Sequence, residues 1–162
     1  GLHSAMSNKL VIDSMEAFQA REGQLLFTSE PLTASREMIQ QFCRSVNQLD
    51  WFHFDEQRAA ASPFGTIVAP GMFTLSLIHS VYFDNVELRG LRALFLGSDR
   101  FRIVGPVKAG DRLSLRFTVA RVEAREAGFA VHYDFSWHAN GEDEPVTLGN
   151  FIVRYWPEAQ EN

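Results

Sequence analysis

The sequence predicts an α+β fold in which an antiparallel β-sheet wraps one buried helix. Three observations predict it. The stretch from Pro70-Gly71 to about Phe83 is apolar on nearly every side when wound as a helix, the pattern of a buried one. After Gly90 the hydrophobic period changes to two, the period of a half-buried strand. The strands then follow one another across short turns, as antiparallel neighbours do.

The elements follow in order. Gly1 to Ala5, ahead of Met6, are expected to be a cloning remnant, which leaves 6–162 as one domain. Before Phe83 the chain reads mainly as helices and loops, apart from a short strand at Leu25 to Ser29. Thr33 or Ser35 caps a helix that places Met38, Ile39, Phe42, Cys43 and Val46 on one apolar face. A short helix covers Asp55 to Ala61 and breaks at Pro63 to Gly65. Pro70 suits the first turn of the apolar helix, where its missing N–H has no partner anyway. In the first long strand Leu113, Leu115, Phe117 and Val119 alternate with polar residues. In the second, Phe129, Val131, Tyr133, Phe135 and Trp137 do the same. In the last, Val146 and Leu148 share one phase and Phe151, Val153 and Tyr155 the other, so a β-bulge is expected at Gly149-Asn150.

Composition sets bounds. The chain has 162 residues, 46% apolar and 22% charged, enough for one domain with a real core. A net charge of −5 argues against general binding to nucleic acid or membrane surfaces, which needs a positive field. The longest apolar run contains Pro70, Gly71, Ser76 and His79 and is too short and impure to span a bilayer. Cys43 alone cannot form an internal disulfide, and no basic-then-apolar leader is visible, so a cytoplasmic protein is expected.

Two segments carry more. The first is Asn47-Gln48-Leu49-Asp50-Trp51-Phe52-His53-Phe54-Asp55, followed by Phe64-Gly65-Thr66-Ile67-Val68-Ala69-Pro70-Gly71-Met72 and on to Leu77. The second is Asp99-Arg100-Phe101-Arg102-Ile103-Val104-Gly105-Pro106-Val107-Lys108-Ala109-Gly110-Asp111. Together they resemble the MaoC-like dehydratases, the (R)-specific enoyl-CoA hydratase branch of the hotdog superfamily. The nodulation protein N-like members resemble the chain most, since they too put Trp just before the His. The likeness spans roughly residues 33 to 157. It implies a single hotdog whose sheet wraps a central helix, usually paired with a second copy.

The resemblance also implies roles. The family's Asp-x-Asn-Pro-x-His loop puts its catalytic His on His53, its Asp on Gln48, its Asn on Asp50 and its Pro on Trp51. Its His-Gly-Met becomes Pro70-Gly71-Met72, and its later Ser falls on Ser76. Hydration of an enoyl thioester needs a base for water, an acid for Cα, and donors on the thioester oxygen. A Gln amide can hold a water but cannot take its proton. Asp50 therefore either works with His53, Gln48 orienting the water, or it caps the next helix or pairs with an Arg. Gly71 either presents its N–H to developing charge at the helix start or serves close packing. Ser76 either positions a water or bonds a preceding carbonyl. Trp51 and Phe52 either border an acyl pocket or pack in the core, and Phe54, Phe64 and Phe73 gather in the same stretch.

Arg100, Arg102, Lys108 and Arg112 form a basic cluster, suited either to coenzyme A phosphates or to a charged sheet edge. His132 and His138 share a strand face but lie roughly 20 Å apart, too far to share a metal, and read as surface residues. His79 reads as a core residue. The reading that follows is a hydratase or dehydratase of 2-enoyl or 3-hydroxyacyl thioesters, carried on coenzyme A or acyl carrier protein, with no metal or cofactor. A hotdog thioesterase using Asp50 and a non-catalytic acyl-thioester binder are the alternatives, the latter because of Gln48. A homodimer or higher homo-oligomer is expected, since one sheet leaves an edge to cover.

Overall fold

Local capping signals shape the first half of the chain and alternation shapes the second. The computed structural model describes residues 8–159, so the expectation for Gly1 to Ala5 lies outside the described residues. In chain order the first half forms β1 (Leu10–Ile12), α1 (Met15–Gln19), β2 (Leu25–Thr28), β3 (Leu32–Thr33), α2 (Arg36–Ser45), α3 (Trp51–Phe54), α4 (Glu56–Ala60) and α5 (Met72–Asn85). The second half forms β4 (Val86–Leu88), β5 (Leu91–Gly97), β6 (Phe101–Ile103), β7 (Arg112–Arg125), β8 (Gly128–Ala139) and β9 (Thr147–Pro157).

Ser35 caps α2, its hydroxyl accepting from the Met38 N–H at 3.1 Å. Ile39 and Cys43 face the core as expected, but Val46 has left the helix and lies 55% exposed, because the chain turns away after Ser45. The expected helix over Asp55 to Ala61 is α4, and a separate turn, α3, precedes it. Asp55 divides them: its extended backbone ends α3 while its carboxylate caps α4 through the Arg58 N–H. Two short strands, β1 and β3, also stand in the half read as helices and loops; neither is long enough to show a period.

β2-β7-β8-β9-β5 form an antiparallel sheet, with β3 also on β7 and β6 also on β9, while β1 and β4 pair in parallel apart from it. The alternation of β7 and β8 is realised, since Leu113, Leu115, Phe117, Val119, Val131, Tyr133 and Trp137 are all fully buried. Each such side chain contributes about 1.5–3 kcal/mol on leaving water. The expected bulge at Gly149-Asn150 is absent. β8 and β9 pair without a shift from Phe129–Tyr155 to Trp137–Thr147, so Thr147 and Gly149 share the inner phase with Phe151, Val153 and Tyr155. Gly149 is small there for a reason: a Cβ would stand 2.2 Å from the Arg100 carbonyl oxygen.

The helix α5 lies on the inner face of this sheet, with Phe73, Thr74, Ile78, Val81 and Tyr82 buried. Its far side carries Met72, Ser76, His79 and Ser80 in the open, so His79 is not the core residue expected. Between helix and sheet the Tyr82, Tyr133 and Tyr155 hydroxyls bond one another, which satisfies three buried phenols without water.

A candidate active site at the start of the central helix

The loop after α2 turns through Asn47, a non-glycine residue at φ 56°, and delivers α3 beside the segment that enters α5. The Gln40 amide of α2 donates to the His53 carbonyl at 3.1 Å, and the Val68 N–H donates to the Phe52 carbonyl at 3.1 Å. These two bonds fix His53, which is only 5% exposed. Its Nδ1 lies 2.6 Å from the Val68 carbonyl. A carbonyl only accepts, so in the neutral ring Nδ1 holds the proton and Nε2 holds the lone pair. In that tautomer Nε2 is the nitrogen able to accept a proton.

Val68 also forms one wall of a cleft of about 350 Å³, together with Phe64, Gly71, Thr74, Ile103 and Thr147. Gly71 begins α5, and its N–H has no protein acceptor among the described residues. A Cβ at Gly71 would stand 2.5 Å from Ile103 Cδ1, the end of an exposed side chain that can swing aside. At the floor the Thr74 and Thr147 hydroxyls bond each other at 2.9 Å. Sequence reasoning missed this pair. Thr74, a polar residue on an apolar helix, was the available signal, but its partner is 73 residues away.

The other candidates divide between this place and elsewhere. Asp50 holds the N-cap position of α3, but its carboxylate caps no N–H and pairs with no cation among the described residues. Gln48 is half-buried in the same loop. Trp51 stacks on Phe52 at 4.0 Å and carries the Arg58 guanidinium at 4.4 Å, while Phe52 meets Phe64 at 5.9 Å. Phe54 packs under Arg44 and Phe73 against Phe42, so Phe64 alone of that aromatic group lines the cleft. Ser76 Oγ donates to the Met72 carbonyl at 2.9 Å. The basic cluster is split: Lys108 bridges Val68 by its backbone, whereas Arg100 and Arg102 line a separate groove on the outer face of the sheet. Arg112 opens β7, its N–H held by the Asn140 side chain at 3.0 Å. Among the described residues no three His, Cys, Asp or Glu side chains cluster to hold a metal, and no helix is long and apolar enough to cross a membrane.

Comparison with known proteins gives the family and the fold. The model of the family described as MaoC like domain matches residues 17–134. The chain is 28% identical over 145 residues to the 3-hydroxyacyl-thioester dehydratase Z of Mycobacterium tuberculosis, covering 88% of this chain and 96% of that one. It is 32% identical over 144 residues to the nodulation protein N of Rhizobium leguminosarum bv. viciae, covering 86% and 89%. Its fold is similar to that of the R-hydratase PhaJ1 from Pseudomonas aeruginosa, with a TM-score of 0.69 and 20% identity over 87% of this chain and 89% of that one. The likeness makes the fold a hotdog.

Proposed function

From the premise that the chain belongs to the MaoC-like domain family, we propose that it hydrates 2-enoyl thioesters or dehydrates 3-hydroxyacyl thioesters. The observation that carries this reading is the His53 imidazole, buried and locked by Val68 with its lone pair on Nε2, beside a helix start whose Gly71 N–H is free. In hydration Nε2 takes a proton from water as the water oxygen bonds Cβ. The Gly71 N–H and the α5 dipole stabilise the charge that gathers on the thioester oxygen. Cα then takes a proton from the His53–Asp50 pair, which returns the pair to its starting state and leaves the 3-hydroxyacyl product. Gln48 orients the water, and Asp50 is the second group of the proton-transfer pair. Trp51 and Phe52 border the acyl chain, and Lys108, beside Val68, is the one residue of the basic cluster placed to meet a bound thioester, since Arg100 and Arg102 lie on the outer face of the sheet and Ser76 on the open side of α5.

The test is to offer trans-2-enoyl-CoAs of several lengths and follow loss of the conjugated double bond. Turnover well above a His53→Ala control supports the reading, and turnover no greater than that control ends it. Gln48, standing where the family's carboxylate belongs, favours a second reading: an acyl-thioester binder without turnover. That protein would bind acyl-CoA silently and gain hydration in Gln48→Asp.

A second copy of the chain is the proposed partner. β5 is a sheet edge with Leu94, Phe95 and Leu96 each at least 44% exposed, a surface that would be costly to leave in water. Gel filtration with light scattering should give a dimer or larger; a monomer would contradict the proposal.

A further inference from the structure

We propose a second reactive site on the outer face of the sheet, in which Ser136 is a nucleophile with His138 as its base and esters bearing an anionic group as its substrates. The two residues stand i and i+2 on β8, so they share a face, and Ser136 Oγ lies 2.7 Å from His138 Nε2. His138 was read from sequence as a surface residue. It is instead 5% exposed, folded under the turn between β8 and β9, with Nδ1 3.0 Å from the Glu142 carbonyl. That carbonyl can only accept, so Nδ1 carries the proton and the bare Nε2 accepts from the Ser136 hydroxyl. A base oriented by a third group and bonded to a hydroxyl is the arrangement that activates a serine.

The surroundings give the substrate class. Ser136 opens into a groove of about 680 Å³ that Arg100, Arg102 and Arg116 also line. Arg116 is directly opposite Ser136 on β7, and Arg102 lies one strand beyond Leu148 on the other side. Among the described residues Arg116 meets only Asp143, at 3.4 Å, whose carboxylate is 98% exposed, and Arg102 has no carboxylate partner. An exposed pair of this kind contributes little, so an anionic ligand can replace it. Arg100 is held differently: its guanidinium lies 3.6 Å from Asp134, which with Asp99 also lines the groove, and the buried Asn150 side chain accepts from the Asp99 and Arg100 N–H groups at 2.9 and 2.8 Å, so Arg116 and Arg102 are the cations left to a ligand.

The step balances within the protein. Ser136 Oγ bonds the ester carbonyl carbon, its proton moves to His138 Nε2, and the carbon–oxygen bond to the leaving alcohol breaks. The alcohol departs with that proton. Water then attacks the acyl-serine, gives its proton to Nε2 and releases a carboxylic acid, and Oγ regains the proton.

The full chain is mixed with mono-4-nitrophenyl succinate, which is anionic, and with neutral 4-nitrophenyl acetate. Release of nitrophenolate, faster from the anionic ester, with the acyl group found by mass spectrometry on the Ser136 peptide, is the expected result. Ser136→Ala should abolish it. His138→Asn, which can still donate to the Glu142 carbonyl but cannot take a proton, should slow it by about 10²–10⁴ while the circular dichroism spectrum stays that of the parent. Arg102→Ala should remove the preference for the charged ester. An acyl group on another residue, an unchanged rate in a folded His138→Asn, or equal rates for the two esters in the parent protein would each overturn the proposal.

Discussion

His53 and His138 are built alike and placed apart. Each imidazole is 5% exposed, and each has Nδ1 on a backbone carbonyl, at 2.6 Å for His53 and 3.0 Å for His138. The tautomer lock is therefore the same in both. The other nitrogen differs. His138 gives Nε2 to Ser136, a partner within the chain, whereas no protein donor is recorded for His53 Nε2 among the described residues. A base already bonded to a hydroxyl activates that hydroxyl; a base left open acts on what arrives. The role of a buried histidine is thus read from its second nitrogen, once the first has fixed the ring.

The comparison can be broken or sharpened by mutation. The largest expected effect is on enoyl-CoA hydration, which should fall by about 10²–10⁴ in His53→Ala and stay within about twofold of the parent in Ser136→Ala, measured by absorbance of the conjugated thioester. Parallel losses in both would make the two sites one. Next, Thr74→Val should lower stability by about 1–3 kcal/mol in urea melts, because it leaves the buried Thr147 hydroxyl without its partner. The double variant Thr74→Val with Thr147→Val should recover much of that. Gly71→Ala should change stability by less than about 1 kcal/mol, because the added Cβ meets only Ile103 Cδ1, the end of an exposed side chain that can swing aside. Gln48→Asp should raise hydration about tenfold, within the range a positioned base supplies; an unchanged rate would put Gln48 outside the reaction. The smallest change belongs to Val46→Asp, within about 0.5 kcal/mol, since that side chain left the buried face.

Much of the fold was legible because its signals are local or periodic. β7 and β8 alternate over many residues, and Ser35 caps where it should. β9 was misread because Thr147 looks polar and Gly149 looks like a break. Their inward places depend on Thr74 and on the Arg100 backbone, neither of which is near in sequence. β5 was missed because Ala93 to Leu96 is apolar without alternation, so no period of two marks it as a strand. In the candidate site, the motif located His53 and Gly71. The Val68 anchor was not visible, because a backbone carbonyl carries no residue type. Arg100 and Arg102 were grouped with Lys108 by spacing, yet β6 ends at Ile103 and the turn through Gly105-Pro106 carries Lys108 away, so only the two arginines line the outer groove.

The phenol cluster has one more consequence. The chain contains three tyrosines, and all three are in it. Burial pushes Tyr82 up from 10 to about 12, against the smaller opposite pull of its two hydroxyl partners, and burial likewise raises Tyr133 and Tyr155. Below pH 10 the folded and unfolded chains hold the same phenolic protons; between there and about 12 the unfolded chain loses them first, so folding weakens as alkali is added. Phenolate absorbs in the ultraviolet where phenol does not. With no exposed tyrosine to blur the trace, the absorbance change in an alkaline titration reports the opening of this core, an optical gauge of folding that needs no added dye.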